Sequence, residues 1–498
     1  MKYDLRYEPW INVEFLDGSK VKVGLQQLFE QAHEIRSFHH DNPLAEAALM
    51  RILIALSHRI LNGPKDKKSW KEAFEAGRYD ADAVEAYFDR WKDRFDLFHE
   101  KYPFMQVVEL QTKKIKLQRL VHHIATGENA TLFDHSTDDM PKNFIAEEAI
   151  YILLIGLVFR PRGRKDSLDS NICGNVKDVK TQYSCSDGNM VGKYTVFLNS
   201  NSNLFKTLML NTFHESFINS FFNLQNKLED DTTPWEEPKY FCKKEKNAVK
   251  GYLDYLTFSS RLIRLEIDER YKRVFYAHIC CGPALPEYIL YEPFVPYRIK
   301  QDGSIDKLAP KEERLLWRDS HTLFSIDSQN NFTLKALSHL QNISRFIWKN
   351  LSIVGFSIIT ENDKTKEYIK ESIPIPQKLI KNPTHFNNIK QAISQSEKMD
   401  KKLNNALKEF SDLTEISMSH IKGVSMKNYW LTLDLPFKSF LNEIDSENAL
   451  KRWENQVQKA AVEAFDKATK PLLGQKARLL EAYVKARQKL YQSKGGKS

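Results

Sequence analysis

The run Ala149–Phe159, AIYILLIGLVF, carries no charge, and no longer apolar run occurs in the chain. Its length decides what it can become. A helix needs about 20 apolar residues to span a bilayer, whereas roughly 10–14 fit a buried core helix. Glu147 and Glu148 stand just before the run, and Arg160, Arg162, Arg164 and Lys165 follow it. A core helix that delivers a cationic loop accommodates both flanks. The N-terminal stretch MKYDLRYEPWINVEF is charged too early and too often for a signal peptide. The expectation is a soluble, cytoplasmic protein with no membrane partner.

A chain of 498 residues has room for about two to four domains and a large core. Its cysteines, Cys173, Cys185, Cys242, Cys280 and Cys281, are odd in number and widely spread. That usage fits a reducing compartment better than a disulfide framework. The adjacent Cys280-Cys281 pair has no second pair to complete a tetrahedral zinc site, so neither a metal nor a cofactor is expected.

The charge is segregated. From Lys378 onward there are 22 Lys+Arg against 13 Asp+Glu, which accounts for the whole formal net charge of +9. The rest of the chain is neutral, with 52 of each sign. Such asymmetry points to an acidic partner, most often nucleic acid, or to a helical domain with a lysine-rich solvated surface.

The patterning also changes along the chain. Residues 1–376 read as a mixed domain in which short apolar runs and turns alternate with helical segments. INVEFLDGSKVKVGL has the alternation and the Asp17-Gly18 turn of a hairpin. AEAALMRILIALSHRIL places Leu49, Ile52, Leu53, Leu56 and Ile60 on one helical face. Ser167–Asn203, rich in Asn, Ser, Asp and Gly, reads as a long loop.

Beyond Pro374 and Pro376, helical periodicity dominates residues 377–498. Phe386, Ile389, Ile393, Leu403, Leu407 and Phe410 form one seam. Asp445 and Ser446 are suited to cap a helix carrying Leu450, Trp453, Val457, Ala460 and Ala464. The last helix is expected to bury Leu473, Ala477, Leu480, Val484 and Tyr491. Lys476, Arg478, Lys485, Arg487 and Lys489, opposed only by Glu481, would then form a solvent-facing basic surface. The fold class is α+β: a large mixed N-terminal domain followed by a basic four-helix bundle.

No phosphate loop, G-x-G-x-x-G fingerprint or H-E-x-x-H zinc motif occurs. The doublets His39-His40 and His122-His123 do not make a two-ligand helical face, because adjacent helical residues diverge. FDHSTDD, Phe133–Asp139, gathers a histidine and three carboxylates suited to a hard metal. It is the basis of an alternative reading as a metal-dependent nuclease with a dispersed active site. Three loops also stand out: TGENATLFDHSTDD, FRPRGRKD, and ITENDKTKEYIK with Asn362, Lys364 and Lys366. Amide and cationic side chains on loops suit base edges and phosphates.

The order of several stretches carries a resemblance. YEPWINV, YPFMQ, NATLFDH, NSNLFKTLMLN, GYLDYLTFSSRLIRL, YEPFVPYR, LLWRD and IPIP follow one another along essentially the whole chain. Together they resemble the family of the large subunit, CasA, of the type I-E CRISPR Cascade surveillance complex. The resemblance implies a non-catalytic DNA-recognition subunit at the crRNA 5′ end. Such a subunit probes double-stranded target DNA for the protospacer-adjacent motif (PAM), helps start unwinding, and contributes to recruiting the Cas helicase-nuclease. Its partners would be the other Cascade subunits, crRNA and target DNA, with sequence reading delegated to base pairing.

Three loops correspond to family elements. GENATLFDH resembles the loop that docks on the Cascade backbone, with Asn129, Ala130, Thr131, Leu132 and Phe133 at the matched positions. The family's glycine loop against the PAM minor groove is replaced by Arg160, Arg162, Gly163, Arg164 and Lys165; the same role falls alternatively to CSDGNMVGK. TENDKTKEY resembles the wedge beside the PAM, with Thr360, Glu361 and Asn362 at its tip and Asn362 and Lys364 toward DNA. The basic face of the bundle (Lys476, Arg478, Lys485, Arg487, Lys489) would hold DNA strands through phosphates. The departures from the family pattern imply a different PAM preference.

Overall fold

A computed structural model describes residues 1–121, 142–165, 183–222, 231–237, 249, 251–282, 292–300, 302–312, 314–324, 334–343, 350–361, 364–376, 378, 384–474 and 476–491. The fold is α+β. It divides into two compact units: Met1–Pro310 with Lys335–Ser344 and Val354–Lys370, and Lys311–Leu334 with Arg345–Ile353 and Glu371–Ser498.

The first unit opens with the expected hairpin. Strands β1 (Ile11–Phe15) and β2 (Lys20–Val23) pair antiparallel, and β3 (Ile35–Phe38) completes the sheet in the order β2-β1-β3. Gly18 takes φ +89° in the turn, a conformation that favours glycine. Helix α1 (Pro43–Ile60) has Asn42 as N-cap and a proline in its first turn. It is buried nearly all round rather than on one face. Arg51 explains part of this: its guanidinium pairs with buried Glu292 at 2.8 Å and donates to the Leu256 carbonyl at 2.8 Å.

The short strand β4 (Ile115–Lys116) precedes α2 (Ala146–Val158), the apolar run of the sequence. Glu148 accepts the Ile145 N–H at 2.9 Å and closes the start of α2. Pro161, shortly after Phe159, cannot continue the helix. Among the described residues no helix is long and apolar enough to cross a membrane. Strands β5 (Gly163–Lys165) and β6 (Tyr183–Cys185) pair antiparallel, and β7 (Thr195–Asn199) follows. The stretch expected to be one long loop therefore contains two strands in its described part.

Strands β8 (Arg261–Asp268) and β9 (Arg273–Cys281) form a long hairpin extended by β4 in the order β4-β9-β8. Helix α2 covers one face of it. Gly156 packs closely there: a Cβ would lie 2.9 Å from Ile263 Cδ1, the far end of a side chain that would have to shift. A small pair, β10 (Tyr297–Ile299) and β11 (Ile305–Lys307), stands apart. Strands β12 (Ser352–Glu361) and β13 (Lys364–Pro374) complete a sheet of order β13-β12-β7.

The second unit is built on helices α3 (Thr384–Thr414), α4 (Met418–Thr432), α5 (Asp434–Asn442), α6 (Ala449–Thr469) and α7 (Ala477–Gln488). The expected seam of α3 is buried at Ile389, Ile393, Leu403, Leu407 and Phe410. The cap of α6 is Asn448, not Asp445 or Ser446, and its side chain makes no cap bond. Asp445 instead pairs with Lys378. At the core, Trp317 stacks on Phe437 at 4.5 Å and meets Trp453 edge-on at 6.0 Å. The Trp453 indole N–H donates to the Ala392 carbonyl at 2.9 Å, so the buried ring keeps a partner for its polar atom.

Candidate nucleic-acid interface

The two stretches that competed for the glycine-loop role belong to one device. Residues Gly163, Arg164 and Lys165 pair with Cys185, Ser184 and Tyr183, so RPRGRK supplies one strand of an arm and CSDGNMVGK continues from the last residue of the other, Cys185. The chain after β6 then runs back along the end of α2. Gly188 donates to the Arg160 carbonyl at 2.8 Å, Met190 to the Val158 carbonyl at 3.1 Å, and the Arg162 N–H to Asp187 Oδ1 at 2.7 Å. A Cβ on Gly188 would sit 2.3 Å from the Val158 carbonyl oxygen. The close backbone approach that only glycine allows is thus used inside the protein.

Arg261, at the start of β8, locks this arrangement. Its guanidinium donates to the carbonyls of Ser260 (2.8 Å), Arg160 (3.0 Å), Pro161 (2.9 Å) and Ser186 (2.7 Å), three separate segments. The residue is 1% exposed. Burial, then the nearby Arg160 charge, pushes its pKa down to about 10, with Asp187 opposing, so it stays cationic at neutral pH. Arg261 and Asp187 lie in stretches the sequence singles out, GYLDYLTFSSRLIRL and CSDGNMVGK, but their roles there are not readable, because their partners converge only in three dimensions.

Sulfur chemistry fastens the same arm. Cys185 on β6 and Cys281 on β9 form a disulfide, with their Cα atoms 5.1 Å apart, and the adjacent Cys280 is buried. This corrects the expectation of unpaired thiols. The partners are 96 positions apart, and only the fold lays β6 beside β9. Among the described residues no group of three or more His, Cys, Asp or Glu side chains is placed to hold a metal. Cys173, Cys242 and the FDHSTDD stretch lie outside those residues.

The expected arginines divide. The Arg160 guanidinium donates to the Arg119 carbonyl at 2.7 Å and is committed to the protein. Arg162 is exposed at the root of the arm. Gly163, Arg164 and Lys165 lie on the strand itself. The docking residues Asn129, Ala130, Thr131, Leu132 and Phe133 lie outside the described residues.

The wedge stretch forms the end of the β12–β13 hairpin. Ile353, Phe356 and Ile358 bury the root of β12, and the Ser357 hydroxyl donates to the Lys193 carbonyl at 2.8 Å. Thr360 and Glu361 end β12, Lys364 begins β13, and Glu361 pairs with Lys366 at 3.3 Å. Asn362 lies between the strands, outside the described residues.

The basic face of α7 differs from its expected form. The buried side chains are Ala482, Tyr483, Ala486 and, just beyond the helix, Leu490. Leu480, Val484 and Tyr491 are 54%, 48% and 52% exposed, so the expected apolar seam is the outer face. The inner face is chosen by polar partners. Asp466 accepts the Tyr483 hydroxyl at 2.7 Å and Arg487 Nε at 2.9 Å, and it pairs with Lys470 at 3.1 Å. Burial raises the Asp466 pKa, but these bonds outweigh it and hold the carboxyl below its ordinary value. Lys489 pairs with Glu409 at 3.2 Å and Arg478 with Glu415 at 3.4 Å. Lys476 and Lys485 are exposed and make no ion pair among the described residues.

Comparison with known proteins bears on all of this. A family model described as CRISPR-associated protein Cse1 matches residues 4–464. The chain is 28% identical over 516 residues to the CRISPR-associated protein CasA/Cse1 of Thermus thermophilus, covering 98% of this chain and 96% of that relative. Its fold is similar to Thermus thermophilus CasA (Cse1), with a TM-score of 0.79 at 24% identity and 98% of both chains covered. Thermobifida fusca Cse1 gives a TM-score of 0.81 at 19% identity, covering 98% of this chain and 97% of that one. A chain of a CRISPR RNA-guided surveillance complex gives 0.78 at 19% identity, covering 99% and 100%. With the family model spanning most of its length and the fold matched from end to end, this chain belongs to the CRISPR-associated Cse1 (CasA) family, the large subunit of type I-E Cascade.

Proposed function

We propose that this chain is the non-catalytic subunit through which a crRNA-guided complex recognises a PAM in duplex DNA and begins to open it. Its partners would be the other Cascade subunits, crRNA, double-stranded target DNA and a recruited helicase-nuclease. The likeness to a chain of a CRISPR RNA-guided surveillance complex supports assembly with crRNA and sister subunits.

The observation that carries the unwinding role is the β12–β13 hairpin. Its paired strands span Ser352–Glu361 and Lys364–Pro374. Long paired strands give a rigid base from which an amide and a cation would press between bases without collapsing. Beside it, the β5–β6 arm would lie against the PAM, with Arg162, Arg164 and Lys165 contacting phosphates or the minor groove. Backbone geometry that glycines supply elsewhere in the family is here replaced by an arginine-held strand pair.

The test is R-loop formation by the assembled complex. Asn362→Ala combined with Lys364→Ala is expected to slow opening of duplex target about 10-fold or more, the scale of one lost base-directed contact pair. Binding to a target already unwound should stay within twofold of the unmodified complex, within about 0.5 kcal/mol. Equal loss on both substrates overturns the wedge role.

A further inference from the structure

The β4-β9-β8 sheet has a second face that the proposed function leaves unused. Helix α2 covers the face carrying Ile263, Leu265, Ala277 and Ile279, all buried. Alternation along the strands sends Tyr276 the other way. There Lys116, Tyr276 and Glu266 lie abreast on three neighbouring strands. Tyr276 is 39% exposed at the middle of that row.

A bulge then extends the aromatic surface. Glu266 faces Tyr276 while Ile267 faces Val274, so Phe275 is the extra residue of β9. Bulges re-aim side chains. Here the Phe275 ring lies 6.3 Å from Tyr271 and 6.5 Å from Tyr276, making a continuous row of three rings. Tyr271, at the hairpin turn, is 57% exposed, and the Arg270 guanidinium lies 5.4 Å from the centre of its ring.

Cations border the row on both sides. Lys113 and Lys114 precede β4, with Lys114 paired to Glu266, Lys116 lies on β4, and Arg270, Lys272 and Arg273 lie around the turn. The nearby carboxylates are occupied. Lys114 and His278 flank Glu266, and Asp268 accepts the backbone N–H groups of Arg270 (2.9 Å) and Tyr271 (3.2 Å). Exposed rings within a cationic border match unpaired bases on a phosphate backbone. A duplex offers its phosphates but hides its base faces, so it could use the border and not the rings. An acidic protein surface would likewise leave the rings without a matched partner.

We propose that this sheet face is a binding platform for single-stranded nucleic acid, with bases stacked on Tyr271 and Tyr276 and phosphates tracked by the flanking cations. It belongs to a different sheet from the wedge hairpin and does not depend on the wedge assignment.

The experiment uses the purified full chain and measures anisotropy of labelled single-stranded DNA, single-stranded RNA and blunt duplex across salt concentrations. Both single strands are expected to bind more tightly than duplex, and the tighter of the two identifies the strand type. Tyr271→Ala with Tyr276→Ala should weaken single-strand binding about 10-fold or more, with thermal stability unchanged. Tyr276→Phe keeps the ring and should retain affinity. Arg270→Glu should flatten the salt dependence. A folded double-alanine variant that binds single strands as tightly as the unmodified chain overturns the platform. So does a variant that keeps strand affinity while losing assembly with partner subunits, which would mark a protein-docking surface. Neither result bears on the wedge, which is read by duplex opening.

Discussion

The β5–β6 arm and helix α7 look alike in sequence, since each offers a close set of cations. In the folded chain they use those cations differently. The arm is held from beneath by an arginine whose role no motif announces: Arg261 gathers carbonyls from three segments. Of the arm's own cations, Arg160 is turned back onto the Arg119 carbonyl. Helix α7 is held by its own cations, with Arg487 and Lys489 tied to Asp466 and Glu409. Cationic charge in a sequence therefore measures neither free charge nor nucleic-acid contact. Its use depends on whether acceptors converge on it, and in the arm those acceptors are backbone carbonyls, whereas in the helix they are carboxylates.

The sharpest way to break this comparison is at Arg261. Arg261→Ala removes a charged donor from four buried or half-buried carbonyls, and bonds to charged groups contribute about 1.5–3 kcal/mol each in isolation. Water entering the vacated space recovers part of that, so a net loss of about 3 kcal/mol is expected in urea denaturation. Arg261→Lys should not rescue it, because an ammonium cannot present the planar fork that reaches separate carbonyls. A loss under about 1 kcal/mol would show that the disulfide and the strand pairing hold the arm without the arginine.

The equivalent test on α7 is milder. Asp466→Asn keeps the shape and removes the charge that Arg487, Tyr483 and Lys470 share. Arg487 is partly exposed, so solvent screening limits the expected cost to about 1 kcal/mol. The pH dependence fixes the sign. The folded carboxyl titrates below its unfolded value, so its contribution is complete above the ordinary aspartate range near pH 4. It is lost as pH falls through the lowered folded pKa. The stability gap between the unmodified chain and Asp466→Asn should therefore close on acidification. A gap that stays constant would assign the role to packing rather than charge.

How much was legible follows the same division. The α3 seam can be read because one contiguous face carries Ile389, Ile393, Leu403, Leu407 and Phe410, and that face is buried. Helix α7 offers two stripes of comparable apolarity, and periodicity cannot choose between Leu480-Val484-Tyr491 and Ala482-Tyr483-Ala486-Leu490. The choice is made by Asp466 on α6, a helix away in sequence. Trp317 is likewise silent: no pattern ties it to Phe437 and Trp453 in the helical core. The apolar run of α2 was legible from its length, whereas the stretch after it, read as a cationic loop, carries strand β5. The carbonyl cradle around Arg261 and the Cys185–Cys281 link were not, since each is made from segments distant in sequence. At the candidate sites, the commitments of Arg160, Arg487 and Lys489 to acceptors within the protein were not readable either.

The smallest effect separates charge that is spent from charge that is available. On α7, Lys485 is exposed and has no ion pair among the described residues, while Arg487 is bound to Asp466. If the helix contacts phosphates, each contact adds close to one to the slope of log affinity against log salt. Lys485→Glu should then reduce that slope by about 1 in DNA binding by the assembled complex, with thermal stability unchanged. Arg487→Glu places a carboxylate against Asp466, so it should lower thermal stability and move the slope less. The reverse pattern, with Arg487 controlling the slope, would mean that its pair with Asp466 opens on DNA. Flat slopes in both variants would remove α7 from the nucleic-acid surface and leave its exposed Leu480, Val484 and Tyr491 as the feature of that face still to be accounted for.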